Sequence, residues 1–324
     1  MDFKVDIKEN YLYNLDKELF NILLVDHSTK SNIIWATDDY EKLGAGYRFH
    51  DKISSDLVTG NNGEIIKPRV SKSEEERINR IRNKAEVFTP SWICNKQNNL
   101  IDCAWFDRKT SPFNTETENG WKVNLRKVTF NKKLKKTWKD YVSATRLEVS
   151  CGEAPYLCSR YDSVTGDIIP FIERVGLLDR KLRIVCENTI SENDFLHYLT
   201  LALQSTYGFD WQGDNVLLAR ENLLFTVLDA YQYKFGKELS VEHLVFFANI
   251  ISWNIWQMDG IKCVVPESCH DEETQLSILG DSEKTECPGC KYNDHKLHNG
   301  CYSIVMDWEK NEKVRFLDIV KEGL

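Results

Sequence analysis

Apolar positions along the chain fall into short runs and longer helical stripes. Leu19 to Leu24 and Asn32 to Ala36 flank His27-Ser28-Thr29-Lys30, a pattern that predicts a β-hairpin. Asp51 to Pro68, rich in Gly, Asn and Asp, reads as loop, and the charged stretch Ser71 to Lys84 predicts a helix capped by Ser73. Thr145 to Ser150 predicts a strand that ends at a Cys-Gly turn, and Leu182 to Val185 predicts another. Phe195, Leu199 and Leu203 recur at helical spacing within Glu192 to Tyr207. Asn215 to Tyr231 carries a stronger stripe of Leu217, Leu218, Leu224, Val227 and Leu228. Val241 to Trp256 predicts an apolar helix, or a helix running into a strand, while Tyr302 to Trp308 and Lys313 to Ile319 read as a hairpin with Asp307 at the turn. Such alternation predicts an α/β fold whose sheet carries helices on both faces. The expected divisions are a small α+β region over 1–80, the sheet domain over 81–262 and a Cys/His-rich segment with the hairpin over 263–324.

Composition narrows the class without naming a function. At 324 residues, 42% hydrophobic and 11% aromatic, the chain can bury a sizeable core without disulfides, which excludes a disordered tail. Met1 to Asn10 is charged and has no apolar core of a secretory signal. Leu244 to Trp256, interrupted by Asn249, Ser252 and Asn254, is too short to span a bilayer. A cytoplasmic location with no membrane contact is expected, and with it reduced, buried side chains at Cys94, Cys103, Cys151, Cys158 and Cys186. The net charge of −8 hides one basic stretch. Between Trp121 and Lys139 there is no acidic residue, while Lys122, Arg126, Lys127, Lys132, Lys133, Lys135, Lys136 and Lys139 interleave with Trp121, Phe130 and Trp138. Cations beside flat aromatic faces suit a phosphate backbone and unstacked bases, so DNA is the expected partner; a solvated charged face fits the same composition.

The candidate chemistry starts at Leu147-Glu148-Val149-Ser150-Cys151-Gly152-Glu153-Ala154-Pro155-Tyr156-Leu157, a strand ending in a glycine turn that opens toward a cofactor. Upstream stands Ala85-Glu86-Val87-Phe88-Thr89-Pro90; downstream follow Tyr207-Gly208-Phe209-Asp210-Trp211, Leu218-Ala219-Arg220-Glu221-Asn222-Leu223 and Trp256-Gln257-Met258-Asp259-Gly260. In this order, over roughly residues 80 to 262, the chain resembles the amino-terminal half of the DNA N6-adenine methyltransferases, including modification subunits of restriction systems. Members carry a VFTP segment, an Asp-Pro-x-Cys-Gly-x-Gly loop, a GxD strand end, an Ala-Arg-x-Asn-Leu helix and a strand ending in Asp. The resemblance implies a Rossmann-like sheet that binds S-adenosylmethionine and a partner restriction or recognition subunit. It places Thr89 and Pro90 around the methionine end of the cofactor, and Glu148, Cys151 and Gly152 along its aminoacyl and ribose portion. Asp210 would hold the ribose hydroxyls, Trp211 the adenine face and Asp259 the adenine amino group. The family's second loop glycine is Ala154 here. Its Asn/Asp-Pro-Pro-aromatic catalytic motif has no counterpart, since no two of the seven prolines are adjacent. Asp307-Trp308 is the nearest stand-in, offering a proton acceptor and a stacking plane. Two functions follow as expectations: an S-adenosylmethionine-dependent DNA methyltransferase, or a catalytically inactive relative that binds DNA or a partner.

A second constellation is Cys287-Pro288-Gly289-Cys290 followed by His295, His298 and Cys301. A C-x2-C knuckle with His and Cys within a dozen residues predicts a closed, structural zinc site. His298 with Cys301 makes the tighter set alongside Cys287 and Cys290; His295 is the alternative histidine, and Cys263, Cys269 and His270 are alternative ligands.

Overall fold

The computed structural model describes residues 9–84, 89–131, 135–275 and 282–322. Two helices, α1 (Glu9–Leu15) and α2 (Lys17–Leu24), lead into strands β1 (Val25–Asp26) and β2 (Ser31–Asn32). A hairpin therefore does join these segments, but it is confined to the residues around the turn, with Val25 opposite Asn32. Leu19 to Leu24 is helical because one face of α2 is wholly apolar and packs against the later helix α10 (Val241–Asn254). The expected loop over 51–68 contains the short helix α3 (Ser55–Val58), and α4 (Glu74–Lys84) begins directly after Ser73.

The middle of the chain supplies α5 (Ser91–Phe106), the hairpin β3 (Asn114–Thr117) and β4 (Gly120–Val123), then α6 (Trp138–Ser143) and β5 (Arg146–Val149). Next come α7 (Leu177–Asn188), α8 (Glu192–Gln204), β6 (Thr206–Asp210), α9 (Gly213–Phe235), α10 and β7 (Ile255–Gln257). Leu182 to Val185, expected as a strand, lies inside α7. That helix is buried on every side from Leu177 to Cys186; Leu178, Leu182 and Val185 recur at helical spacing, but a segment as short as Leu182 to Val185 does not by itself distinguish strand from buried helix. Its charged residues go inward with partners: Arg180 pairs with Asp102, and the Lys181 ammonium donates to the Ser205 hydroxyl at 2.7 Å and the Ser205 carbonyl at 3.0 Å.

β5, β6 and β7 form one parallel sheet in that spatial order, Glu148 opposite Gly208 and Phe209 opposite Trp256. Each crossover is helical, as parallel pairing requires. One face of the sheet packs into a core that also takes in Leu12, Phe20, Trp35 and Ile66, so the apolar residues of the leading region join this core. The other face is covered differently from expectation. Phe209, Trp256 and Met258 meet Val305, Val314, Phe316 and Leu317, which belong to the hairpin β8 (Ile304–Asp307) and β9 (Glu312–Arg315) and to the short helix α11 (Phe316–Glu322). A hairpin and one short helix thus stand where a layer of helices was expected, and Phe316 to Ile319 is helical rather than strand. No helix among the described residues is long and apolar enough to cross a membrane.

Candidate functional site

Strands of a parallel sheet all present their C-terminal ends to one side, where open α/β sheets hold ligands. On that side β5 runs into a loop in which Ser150, Gly152 and Ala154 all take left-handed backbone angles, φ +50°, +54° and +61°. Ala154 therefore occupies the glycine position in a glycine's conformation. Asp210, at the end of β6, ties this loop down: its carboxylate accepts the Gly152 N–H at 2.9 Å, the Gln212 N–H at 3.0 Å and the Asn215 amide at 3.1 Å. Glu148 accepts from the Tyr156 and Leu157 N–H groups at 3.3 and 3.2 Å. Burial raises both carboxyls above the usual range, that of Glu148 by far. The Cys151 thiol, also buried, is pushed up, foremost by desolvation.

Thr89 and Pro90 reach the same place. The Thr89 carbonyl accepts the Ser163 hydroxyl at 2.7 Å, and the Ser91 N–H at the start of α5 bonds Asp162 at 2.8 Å, so the loop 162–167 pins this entry. Tyr156, beside Glu148, also feels the Thr89 side chain. Val87 and Phe88 lie outside the described residues. Trp211 donates its indole N–H to the Ala36 carbonyl at 3.1 Å. Asp259 is committed to its own turn, accepting the Ile261 and Lys262 N–H groups at 2.9 and 3.1 Å.

Two neighbours of this crevice were not singled out in the sequence. Ile34 to Tyr40 docks across the ends of β6 and β7: Gln257 exchanges two side-chain hydrogen bonds with the Ile34 backbone, at 2.9 and 2.8 Å, and Gly213 donates to the Trp35 carbonyl. A Cβ at Gly213 would lie 2.0 Å from the Ile34 carbonyl oxygen, so only glycine lets α9 start here. Asp214, one residue on, is wholly buried. Burial would raise its carboxyl, but Arg80 at 2.5 Å and Lys72 at 3.4 Å outweigh that and hold it low. Nothing in residue spacing foretold these contacts, which join segments far apart in the chain.

Asp307 and Trp308 stand elsewhere. The Trp308 indole donates to the Asn254 side chain at 2.7 Å, just before β7 begins, and the Met306 carbonyl accepts the Tyr207 hydroxyl at 3.3 Å near the start of β6. The pair thus lies toward the N-terminal ends of the strands, opposite Asp210. Asp307 accepts the Glu309 and Lys310 N–H groups as an ordinary turn residue.

The metal-ligating side chains converge closely. Cys269, Cys287, Cys290 and His298 place their ligand atoms within 4.8 Å of one another. His298 Nδ1 sits 3.5 Å from Cys269 Sγ and 3.7 Å from both Cys287 and Cys290 Sγ. A tetrahedral zinc with bonds of about 2.3 Å to sulfur and about 2.0 Å to nitrogen sets these edges at about 3.5 Å. The cluster could therefore bind a zinc ion. His298 is the histidine, and Cys269 replaces the expected Cys301, whose thiol points to the Ser28 carbonyl at 3.5 Å. The tight knuckle explains Gly289, where a Cβ would fall 2.5 Å from the His298 ring. Asn299 N–H donates to Cys287 Sγ at 3.4 Å, and N–H donors draw that thiol down to about 6 against the opposing effect of burial. Cys269 is pushed up to about 12, first by burial and then by the other two thiols. Four protein ligands close the coordination shell, which is the arrangement of structural zinc.

The basic stretch is an exposed ledge. Lys122, Arg126, Lys127, Lys135 and Lys136 are exposed, and among the described residues none forms an ion pair; Lys132 and Lys133 lie outside those residues. Its aromatic groups are engaged inward. Trp138 packs edge-on against Tyr198, Phe130 against Trp105 and Phe106, and the Trp121 indole bonds the Glu173 carbonyl.

Comparison of the chain with protein-family profiles, with curated proteins and with solved structures finds no match.

Proposed function

We propose that the chain binds S-adenosylmethionine at the C-terminal edge of β5 and β6 and is an S-adenosylmethionine-dependent DNA methyltransferase of restriction-modification type, directed at adenine N6. One observation carries the reading: Thr89-Pro90, Glu148 to Gly152 and Asp210, the segments on which the family resemblance rests, meet at one sheet edge, with Gly152 bonded to Asp210 at 2.9 Å. The donor set fits the cofactor. Carboxyl groups at the ends of adjacent strands suit an ammonium and a ribose diol, and Asp210 Oδ2 and both Glu148 oxygens accept one hydrogen bond each, which leaves each of them room for another. When bound, the cofactor supplies an electrophilic methyl group on sulfur. Thr89 and Pro90 close over its methionine end, Glu148 and Cys151 line the aminoacyl side, and Asp210 orients the ribose with Trp211 at the adenine. The zinc centre holds the segment that follows β7, and the basic ledge attracts the DNA backbone.

A second reading has a specific observation in its favour. Asp307 and Trp308, the nearest stand-in for the family's catalytic motif, lie at the wrong end of the strands. On this reading the protein binds the cofactor or DNA, or docks on a restriction or recognition subunit, and transfers no methyl group.

Calorimetric titration with S-adenosylmethionine, with and without duplex DNA, tests the cofactor site. Micromolar binding that is lost in Asp210→Asn is expected, and absence of heat in both conditions refutes it. Transfer of labelled methyl to duplex DNA by the wild type then separates the two readings. Replacing Arg126, Lys127, Lys135 and Lys136 with Ala should weaken DNA binding and flatten its salt dependence by roughly 0.9 per lost phosphate contact.

A further inference from the structure

A cleft of about 200 Å³ lies apart from the crevice and the metal centre, between α1, the second half of α9 and the start of α10. A cavity of roughly 150 Å³ holds one benzene ring, so this cleft has room for a ring-sized or branched apolar group with a small polar head. Leu228, Leu239 and Leu244 give it apolar walls, and the exposed Tyr11 and Leu15 edge its mouth. Its polar groups are few and held in place. The Arg160 guanidinium lies on the Phe225 ring, 5.0 Å from the centroid, and its Nε donates to Asp229 Oδ2 at 3.0 Å. Arg174 donates to the same oxygen at 2.7 Å and is itself tied to the Ile169 carbonyl at 3.1 Å. Burial would raise the Asp229 carboxyl, but the two guanidinium groups outweigh that and hold it low, so it stays ionised.

This arrangement leaves both charge types open to a ligand. The two terminal nitrogens of Arg160 and the second carboxylate oxygen of Asp229, Oδ1, have no partner among the described residues and are not sealed from solvent. Glu238 adds an exposed carboxylate at the rim. Arg160 and Arg174 thus balance Asp229 and Glu238, and the net charge favours neither a simple anion nor a simple cation. A donor fork beside an open carboxylate oxygen, above an apolar hollow, matches a ligand that carries both charges on a small head. We propose that this cleft binds a free amino acid with an apolar side chain. The Arg160 fork receives the carboxylate, Asp229 Oδ1 the ammonium, and the leucine walls the side chain. None of these residues belongs to the sheet-edge crevice, so the assignment is independent of the cofactor reading.

Calorimetric titration of the full chain with L-phenylalanine, 3-phenylpropanoate and 2-phenylethylamine tests the assignment, since the three share a ring and differ in the charges they carry. L-Phenylalanine should bind at least about tenfold more tightly than either analogue, the scale of one charge-assisted hydrogen bond. Arg160→Gln should erase the preference over the amine and leave the amine's own affinity unchanged, because Arg174 still holds Asp229. Leu228→Trp, which fills the hollow from a half-buried wall, should abolish binding of all three and serves if Arg160→Gln does not fold. No heat with any of the three at millimolar concentration overturns the proposal, as does equal affinity for all three or tighter binding of either analogue. A preference for L-phenylalanine over the amine that survives in Arg160→Gln, or binding that survives in Leu228→Trp, places the amino acid elsewhere and overturns it too.

Discussion

The metal centre and the sheet-edge crevice are assembled by opposite means. Cys269, Cys287, Cys290 and His298 come from one short stretch, joined by tight turns that need Gly289 for room. The crevice draws on residues from Thr89 to Asp210, brought together by helical crossovers and by the pairing of β5 with β6. They also differ in what supports them. The crevice sits on the large core, whereas the segment after β7 leans on a small cluster of Phe209, Trp256, Met258, Cys263, Val305 and Leu317. A site closed by local ligands on a thin core depends on its metal; a site on a thick core does not.

The largest expected effect comes from breaking the local site. Cys287→Ser should reduce bound zinc from one equivalent to near zero and expose the segment between Cys263 and Cys301 to protease. Structural zinc contributes on the order of 10 kcal/mol in small domains. Cys301→Ser should keep its zinc. Elemental analysis with limited proteolysis decides: metal lost in Cys301→Ser but kept in Cys269→Ser would reverse the ligand assignment. The crevice sharpens the contrast, since zinc removal should leave the melting of the main core largely in place.

The same contrast explains what could be read in advance. Cys287, Cys290 and His298 were legible because a C-x2-C knuckle places its thiols by local geometry alone. Cys269 was only one of several alternatives, because it is held beside the knuckle by contacts that it and its neighbour Ser268 make with Gly300 and Cys301, which are far from both in sequence. In the crevice, Glu148, Gly152 and Asp210 were legible as strand ends. Gln257 and the Ile34 to Tyr40 segment were not, because their partners are set by tertiary packing that no periodicity encodes. α7 was misread because Leu182 to Val185 is too short a segment to separate strand from helix; the helical spacing shows only when Leu178, Leu182 and Val185 are taken together. The hairpin of Ile304–Asp307 and Glu312–Arg315 was legible, but its second arm was carried too far, since Phe316 to Ile319 is helical, and what the hairpin covers was not legible.

A smaller effect should appear where the two regions join. His27 stacks on Trp253 at 3.6 Å and hydrogen-bonds Ser252, while its neighbour Ser28 holds both Cys301 and Ile304. Burial, and then the charges of Arg220 and Lys313, lower His27 from its ordinary 6.5 to about 3. The folded state therefore keeps a neutral ring where the unfolded chain takes up a proton. Stability from this group is complete above pH 6.5 and is lost progressively as pH falls toward 3. His27→Phe should flatten that part of the profile. Urea melts of both proteins at pH 7 and pH 5 measure it, and an identical loss in the two would remove His27 as the cause.

The smallest effect tests the crevice itself. Ala154 holds φ +61° with its side chain fully buried, a conformation that costs an L-residue about 1–2 kcal/mol relative to glycine. Ala154→Gly relieves that strain but adds freedom to the unfolded chain, which takes back about 0.4–1 kcal/mol. The net gain should be about 1 kcal/mol or less, a rise in melting temperature of about 1–3 °C. The sign carries the argument. A rise means that the loop is held in a glycine's shape by what surrounds it, above all the Asp210 carboxylate on Gly152. In that case the same substitution in an Asp210→Asn background should give a smaller rise, because a loop released from its staple can relax without help. Equal rises in both backgrounds would mean that Asp210 does not hold the strained turn, and the crevice would lose its central fastening.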